Sequence, residues 1–549
     1  MKRLTAYILM FCMMLPLTAC ANTNPGSSGA SESASPNGAT IASIPTQSIF
    51  RFTQAAMPKL DPHCGSDMSS NTIHTNCYDP LVFPTATGSV EPWIAETWEV
   101  SDDGLVWTFH IRDDVKFHSG NPLTANDVKY TVDRLCNIGE GYAYLFYKYI
   151  DSTEVVDEYT VKLNCNQEYG PLLTNLVRLY ILDSELMKAN TKAEGDYGEN
   201  GDYGKNYLLE HDAGSGPYTV TKVETNISVT GKKFQDYWAG IPDDAPETFI
   251  HFASNDAVTV KTKMLRKELE AADSYQTAEN ISSMLAADSS LKLAYNYTGG
   301  GSNLWFNNQK APLDDPKIRE AFGYIIDYNT VNTIITPDSV YKKSIVPSGL
   351  LGYTEVFDFT YDIEKAKACI AESKYADTIG NYEIEFVWNS ETADREKIAL
   401  MIQAAAQQIG VNIKITELPW STIVANATNV DTSPQMTICQ ITPVTGDSGT
   451  QFVSMLQTKE VGTWENMNWV NDSTLDKMIV ASLAIADQDK RATAYAEIQK
   501  YCAEKVVFVP INETPERLVY QDSYVDLAPS IPMSGYSFYL RDIAVHPAS

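Results

Sequence analysis

Apolar and polar side chains alternate along several short stretches of the chain. The segment WTFHIR, Trp107 to Arg112, places its large apolar residues at every second position, and Thr153 to Asn164 shows the same period. Because successive side chains of a strand point to opposite faces, this period predicts half-buried β-strands in both places.

A period near 3.6 residues predicts helices elsewhere. In LTANDVKYTVDRL, Leu123 to Leu135, apolar residues recur at helical spacing, and Thr124 is the expected N-cap. The apolar face of Pro316 to Thr333 predicts a second, longer amphipathic helix. Two further helices are expected at Ser69 to Tyr78 and at Lys261 to Glu270.

Strands and helices alternate in the second half of the chain. A strand at Tyr382 to Trp388, a helix at Asp394 to Ile409 and a strand at Asn412 to Glu417 form a β-α-β pattern, which predicts a parallel pair. Other strands are expected at Ser48 to Phe52, on both sides of a triple glycine within Tyr295 to Asn308, and at Val506 to Glu513, where Pro510 should end the strand.

The N-terminal residues differ from the rest. Lys2 and Arg3 precede a short apolar run, and small residues lead to Cys20, an order typical of a secretory signal. The run Leu17 to Cys20 resembles the lipobox of bacterial lipoproteins, in which the cysteine carries lipid. We therefore expect a signal over residues 1–19 and a lipid anchor on Cys20, with an ordinary signal peptide as the alternative. Residues 20–41, rich in Ser and Gly, are expected to form a disordered tether.

Composition limits the classes of partner. The remaining chain, about 500 residues long, has room for two or three domains. Lys and Arg number 41 against 70 Asp and Glu, a formal net charge of −29. Phosphate binding needs basic patches, so this balance argues against a nucleic-acid partner, and it favours solubility outside the cell.

Cysteine content is compatible with export. Of the nine cysteines, Cys12 lies in the signal and Cys20 at the lipid site, which leaves an odd number. The pairs closest in sequence, Cys64 with Cys77 and Cys136 with Cys165, are candidate disulfides. Free buried thiols are the alternative.

Common catalytic signatures are absent from the sequence. The sequence contains no G-x-S-x-G, H-E-x-x-H or G-x-x-x-x-G-K motif. His63, Cys64, His74 and Cys77 offer four metal-ligand side chains, but their spacing fits no zinc pattern, so we predict no metal site and no cofactor.

Several motifs in succession resemble one protein family. The segment EPWIAETWEVSDDGLVWTFHIRDDVKFHSGNPLTANDVKYTVDR, Glu91 to Arg134, resembles the extracytoplasmic solute-binding proteins of peptide/nickel-type ABC importers. The turn Gly216-Pro217-Tyr218, the helix PLDDPKIREAFGYIID from Pro312 to Asp327 and the strand GVNIKI from Gly410 to Ile415 match the same family. The resemblance covers about residues 45 to 545.

The resemblance implies a two-lobed α/β fold of the periplasmic-binding-protein type (type II, cluster C) with an extra subdomain on lobe one. It places lobe one at 42–300, with the subdomain at about 85–210, lobe two at 303–508, and the C-terminal return to lobe one at 512–549. Crossovers near Gly299–Asn303 and Pro510–Thr514 would form a hinge, and a ligand would bind between the lobes.

The resemblance also implies ligand residues on lobe two. In dipeptide-type relatives an acid holds the ligand ammonium and an arginine its carboxylate; Asp447 and Arg395 occupy the corresponding segments here. The aromatic walls of the cleft would be Trp420 and Trp464.

The implied function is a monomeric, non-enzymatic binding protein on the outer, Gram-positive cell surface. It would capture short peptides and deliver them to a membrane permease with its ATPase. Nickel chelates, oligosaccharides and signalling peptides are alternative ligands, and a secreted hydrolase is the alternative of another class.

Overall fold

The structure is a computed structural model that describes residues 43–548 apart from 86–87, 255, 274–275, 391, 529–530, 532 and 534, and apart from the side chain of Ala393. The predicted signal, Cys20 and the predicted tether lie outside the described residues. Among the described helices, none is both long and apolar enough to cross a bilayer.

The strands are β1 (Ile49–Gln54), β2 (Val82–Pro84), β3 (Val90–Pro92), β4 (Ala95–Val100), β5 (Val106–Ile111), β6 (Ile150–Asp157), β7 (Thr160–Cys165), β8 (Tyr218–Glu224), β9 (Ser228–Lys233), β10 (Thr248–Ala253), β11 (Ala271–Ala272), β12 (Leu291–Asn296), β13 (Gly301–Phe306), β14 (Val340–Tyr341), β15 (Glu383–Asn389), β16 (Asn412–Leu418), β17 (Met436–Ile441), β18 (Phe508–Glu513), β19 (Glu516–Gln521), β20 (Val525–Asp526) and β21 (Ala544–Val545).

The α-helices are α1 (Met68–Cys77), α2 (Ala125–Ile138), α3 (Leu172–Asn175), α4 (Ser184–Asn190), α5 (Ala257–Leu265), α6 (Ala278–Ala287), α7 (Pro316–Tyr324), α8 (Tyr328–Thr330), α9 (Ile363–Glu372), α10 (Ala393–Gln408), α11 (Trp420–Ala427), α12 (Gly449–Leu456), α13 (Ser473–Leu483) and α14 (Gln488–Lys505).

Two large sheets organise the molecule. The first has the order β12-β19-β11-β1-β10-β9-β8 and defines lobe one; the second has the order β14-β18-β13-β17-β15-β16 and defines lobe two. In lobe two β15 and β16 run parallel, with Glu383 opposite Asn412, so the parallel pair predicted from the β-α-β pattern is confirmed. Neighbours such as β13 and β17 are antiparallel, which makes the sheet mixed.

A smaller sheet of order β4-β5-β7-β6 is inserted into lobe one between β1 and β8. Helix α2 packs on it and begins at the predicted N-cap, because Thr124 and Asp127 form a capping box in which the Thr124 N–H donates to Asp127 Oδ2 at 2.8 Å. The apolar core of this small sheet is continuous with that of lobe two. A separate core lies against the first sheet, around Phe50 and Tyr218.

The chain passes between the two large sheets twice. Residues 297–300 join β12 to β13, and Thr514 with Pro515 joins β18 to β19. Gly299 has a φ of +75°, a conformation that glycine adopts without steric cost. These two short segments are where we continue to predict the hinge.

Four element predictions are wrong in detail. The alternating segment Thr153 to Asn164 is not one strand but the hairpin β6–β7, in which the two-residue period continues on both sides of a turn. The helix predicted to reach Thr333 ends at Tyr324, because Asp327 caps a new turn by accepting from Thr330 N at 3.0 Å. Pro510 lies inside β18 opposite a register shift of β13, where a missing N–H is tolerated.

The helix predicted at Lys261 to Glu270 begins earlier, at Ala257, and ends at Leu265. Its N-cap is Asp256, whose side chain accepts a hydrogen bond from Thr259 N. The cap at Asp256 therefore makes the helix begin before the predicted range.

The candidate disulfides are also wrong: all seven cysteines that the structure describes are free thiols. Cys77 is fully buried in α1, and burial raises the pKa of Cys64 to about 12. The neighbouring histidines have structural contacts, since Arg134 approaches His63 Nδ1 at 2.9 Å and His74 Nε2 bonds the Lys59 carbonyl at 2.8 Å.

Candidate functional site

The two lobes touch through backbone groups. Arg178 Nε of lobe one donates to the Val444 carbonyl of lobe two at 2.6 Å, and Gly170 N of lobe one donates to the Leu483 carbonyl of lobe two at 2.8 Å. Gly88 and Gly446 also meet backbone to backbone, where a Cβ on Gly446 would collide with the Gly88 carbonyl. The structure therefore shows the lobes in contact with each other.

Ion pairs cross the same boundary. Lys148 Nζ lies 2.7 Å from Glu460 Oε1, and Lys397 Nζ of lobe two lies 3.2 Å from Glu279 Oε1 of lobe one. Lys148 and Glu460 are about three-quarters buried, whereas the second pair is largely exposed. The Lys148 pair is consequently less screened by solvent.

A cavity of about 540 Å³, the interlobe pocket, lies between residues of both lobes. Lobe one contributes Gly88, Ser89 and Thr174, and lobe two contributes residues 349–354, Gly446, Asp447 and residues of α14. The lining consists mainly of glycine, alanine, serine and threonine. Its volume falls within the range of about 300–1,000 Å³ that small-ligand sites occupy.

Asp447 is among the residues that line this pocket, but its carboxylate is buried against α14. Oδ2 accepts from Arg491 Nε at 2.9 Å, and Oδ1 accepts from the Tyr495 hydroxyl at 2.6 Å and from Gly449 N at 2.9 Å. The Arg491 and Asp447 side chains are at most 1 % exposed. Sequence reasoning found the residue but not this ion pair, because the arginine lies in a later helix.

Arg395 lies in the first turn of α10, directly after β15. Its Nη1 donates to Asn389 Oδ1 at 2.6 Å, and Asn389 is the last residue of β15. The side chain is half-buried at the carboxyl end of the sheet, the edge where ligands of α/β proteins bind.

Trp420 and Trp464 contact each other. Their rings meet edge to face, with centroids 5.7 Å apart and planes at 74°. Trp420 opens α11 after Pro419, and Trp464 opens a one-turn 3₁₀-helix, Trp464–Asn466, with 37 % of its surface exposed. The structure thus brings the two predicted aromatic residues together.

Glu465, next to Trp464, was missed by sequence reasoning. Burial raises the pKa of Glu465 to about 7, and the nearby Glu460 adds to the effect, while a hydrogen bond from Ser454 opposes it. Only its place in VGTWENMNW, a segment that resembles a ligand-facing loop, could have drawn attention to it. We call Arg395, Trp420, Trp464 and Glu465 the tryptophan surface.

Charges link the tryptophan surface to both lobes. Burial raises the pKa of the Cys439 thiol on β17 to about 12, while Arg395 lowers it and Glu465 raises it, so these groups lie within electrostatic range of one another. Burial and Glu465 also raise the pKa of Tyr144, which belongs to lobe one. Glu465 of lobe two therefore lies within electrostatic range of Tyr144 of lobe one.

Comparisons with known proteins agree on one family. The family model described as "Bacterial extracellular solute-binding proteins, family 5 Middle" matches residues 89–463. The "Probable D,D-dipeptide-binding periplasmic protein" of Escherichia coli K12 is 25 % identical over 481 residues, which cover 85 % of this chain and 89 % of that protein. The "Dipeptide-binding protein" of the same organism is 27 % identical over 453 residues, covering 77 % and 81 %.

Solved structures agree on the fold. A dipeptide-binding protein of Pseudoalteromonas sp. SM9913 in complex with Met-Leu has a TM-score of 0.76 at 20 % identity, covering 90 % of this chain and 100 % of that one. The ABC transporter substrate-binding protein CtaP of Listeria monocytogenes has a TM-score of 0.78 at 19 % identity, covering 91 % and 99 %. These likenesses show a two-lobed binding-protein fold. Since the family model also matches more than half of its length, the chain belongs to the family 5 bacterial extracellular solute-binding proteins of ABC transporters.

Proposed function

We propose that this protein captures short peptides between its two lobes and delivers them to the permease of an ABC importer, acting as a lipid-anchored binding protein outside the cell and not as an enzyme. The observation that carries the proposal is the tryptophan surface: two exposed or half-buried indoles flanked by an arginine and a carboxylate on one edge of lobe two. A peptide offers the complementary groups, namely a carboxylate, an ammonium and apolar side chains.

The relatives support a peptide as ligand. The two Escherichia coli relatives named above are described as dipeptide-binding, and the Pseudoalteromonas structure holds a dipeptide. In our proposal Arg395 binds the peptide carboxylate, and Trp420 and Trp464 form an apolar wall. For the ammonium there are two candidate acids, the predicted Asp447 and the neighbouring Glu465.

The proposal is tested by identifying what the protein carries. The chain is purified from its own cells without denaturant, the bound fraction is released with acid, and the released molecules are analysed by mass spectrometry. We expect short peptides in near-stoichiometric amounts. Recovery of a nickel chelate, a haem or an oligosaccharide instead would contradict peptide capture, and rebinding of the released molecule by calorimetry controls for contamination.

Anchoring is tested separately. Cys20→Ser should abolish the lipid and move the protein from the membrane fraction into the medium, or leave it unprocessed, because the acyl chains contribute about 0.8 kcal/mol per buried CH₂. Cell fractionation and the mass of the N-terminal peptide give the readout. A Cys12→Ser variant is the matched control and should remain anchored; membrane retention of the Cys20 variant with an unchanged N-terminal mass would contradict the anchor.

A further inference from the structure

Two glycines at the lobe boundary lie where no side chain fits. A Cβ on Gly446 of lobe two would lie 1.7 Å from the Gly88 carbonyl oxygen of lobe one, and a Cβ on Gly170 of lobe one would lie 2.2 Å from the Ile485 carbonyl oxygen of lobe two. Carbon and oxygen atoms in favourable contact are about 3.3–3.6 Å apart. The lobes therefore reach this contact only because neither residue has a side chain.

The opposite lobe, and not the local backbone, is what excludes a side chain at these positions. Neither Gly170 nor Gly446 has a φ in the left-handed region, so the chain at each position is compatible with alanine. For both glycines, the three atoms nearest the added Cβ all belong to the other lobe. An added methyl group would consequently act on the contact between the lobes and leave the interior of each lobe unchanged.

The lobe-one side of the first contact is a tight turn between β2 and β3. Gly88 has a φ of +77°, its N–H donates to the Thr85 carbonyl at 3.1 Å, and Thr85 N donates to the Ser89 carbonyl at 2.9 Å. Moving the Gly88 carbonyl away from Gly446 would disturb these hydrogen bonds. The turn therefore does not yield as readily as the end of a flexible side chain would.

One buried ion pair joins the lobe-two sides of both contacts. Arg491 Nη1 donates at 2.6 Å to the Ile485 carbonyl, the group that faces Gly170, and lies 2.6 Å from the position of a Gly170 Cβ. Arg491 Nε donates at 2.9 Å to Asp447, which directly follows Gly446 in the chain. The pair thus connects the segment before α12 with the segment between α13 and α14.

We propose that Gly170 and Gly446 are positioning residues for lobe closure, and that the Arg491–Asp447 pair holds the lobe-two surface on which both contacts are made. This inference rests on the proposed capture of ligand between the lobes. It gives Asp447 a role in the contact between the lobes, which is different from the ligand contact that the family resemblance implies.

The inference predicts that the two glycines act through one shared contact. Gly170→Ala and Gly446→Ala should each lower the ratio of contacting to separated lobes by at least about tenfold, because a close contact is overpacked. Once one methyl group keeps the lobes apart, the second has little left to disrupt. The double variant should therefore lie within about twofold of the more affected single variant.

The experiment measures the separation of the lobes in single molecules by fluorescence energy transfer. The two dyes are attached to azide-bearing amino acids at Lys222 of lobe one and Lys367 of lobe two, whose side chains are exposed. Distances are recorded without ligand and with a synthetic library of di- to pentapeptides. Wild type should populate the short distance of the contacting lobes, and the library should increase that population.

The matched control is Gly380→Ala on lobe two, where the nearest atom would lie at 3.8 Å, and it should behave as wild type. Circular dichroism establishes that each variant is folded. A merely structural role of the glycines would lower Tm without changing the distances in the folded molecules. Should one variant fail to fold, the other carries its methyl group on the opposite lobe and still tests the inference.

The ion pair is tested by Arg491→Lys, which keeps the charge but cannot bond Asp447 and the Ile485 carbonyl together. The same ratio should fall by about tenfold. A folded variant with an unchanged ratio would overturn the role of the ion pair.

The remaining outcomes separate this inference from peptide capture. Wild-type ratios in both folded glycine variants, or effects that multiply in the double variant, would overturn the inference and leave peptide capture standing. A wild type that never populates the short distance would also overturn it. If the glycine variants lose the short distance as expected but the peptide library changes nothing, the inference stands and peptide capture is wrong.

Discussion

Asp447 and Glu465 are acids of the same lobe whose surroundings assign them different tasks. The Asp447 carboxylate has an arginine, a tyrosine and a backbone N–H as partners, and none of them is exposed. Glu465 has a serine and another acid nearby. For these two acids, the hydrogen-bond and ion-pair partners of the carboxylate indicate its role better than the position of the residue in a sequence motif does.

Asp447→Asn should destabilise the protein. It leaves the Arg491 guanidinium buried without its counter-charge, a change that costs about 3–5 kcal/mol when a buried pair is broken. For a protein of this size, this corresponds to a Tm lowered by about 3–5 °C. Differential scanning calorimetry measures the shift in Tm. The control is Glu497→Gln, which lies on α14 like Arg491, and its free energy of unfolding is expected within about 0.5 kcal/mol of wild type. An unshifted Tm combined with weaker peptide binding would support the ligand role predicted from the sequence.

Glu465→Gln should stabilise the ligand-free protein at high pH. The folded-state pKa of Glu465, about 7, lies above the ordinary glutamate value of 4.5, so the folded state binds more protons than the unfolded state between these pH values. Stability is therefore lost as the pH rises from 4.5 to 7, and the glutamine variant avoids this loss. We expect a Tm about 1–3 °C above wild type at pH 8 and a smaller difference at pH 5. A Tm difference independent of pH would contradict the assigned titration.

Helix α7 shows how packing governs an element. It was predicted as part of a long amphipathic helix, and its apolar face is indeed buried, with Ile318, Ala321 and Phe322 unexposed. Gly323 lies on the same helix, where a Cβ would come within 2.5 Å of the Phe359 ring. The glycine therefore permits a close approach of the segment before α9.

Gly323→Ala should destabilise the protein although alanine is the better helix former by about 1 kcal/mol. The buried Phe359 ring must shift, and overpacking of this kind costs about 1–3 kcal/mol. Gly380→Ala is the matched control, because its nearest neighbour atom would lie at 3.8 Å. Urea unfolding followed by circular dichroism compares the two variants; equal or higher stability of Gly323→Ala would show that the ring moves freely.

At the scale of the whole molecule, the contact between the lobes joins groups that lie far apart in sequence. Lys148 of lobe one and Glu460 of lobe two are the best-buried ion pair between them among the described residues. In a binding protein of this family, we expect such contacts to break when the lobes separate and to re-form around a ligand.

Lys148→Gln should weaken peptide binding by about two- to fivefold, since a partly buried pair contributes up to about 1 kcal/mol and each tenfold corresponds to about 1.4 kcal/mol. Small-angle scattering should show that wild type shrinks on saturation with peptide and that the variant needs more peptide to do so. Lys222→Gln is the control, because Lys222 pairs with Glu224 at 2.7 Å within a single strand of lobe one. Identical titrations for all three proteins would show that the Lys148 pair does not contribute to closure.

The sequence by itself determined what depends on local period and capping. The strand of Trp107 to Arg112, the N-cap at Thr124 and the β-α-β unit around α10 follow from side-chain alternation, a hydrogen-bonding cap and helical spacing, and all three are present. Several motifs in order also indicated the family. Arg395, Trp420 and Trp464 were singled out by the resemblance to that family, and their role in binding stays a prediction.

Only the tertiary structure decided how distant residues combine. The Asp447–Arg491 pair joins residues 44 positions apart in sequence, and Glu465 of lobe two raises the pKa of Tyr144 of lobe one. The raised pKa of Glu465 likewise arises from burial, which no local pattern encodes. Periodicity shows which face of an element is buried, but it does not show which other element covers that face. In this protein the covering element distinguishes the Asp447 carboxylate, which has a structural role, from the Glu465 carboxylate, which is a candidate for ligand binding.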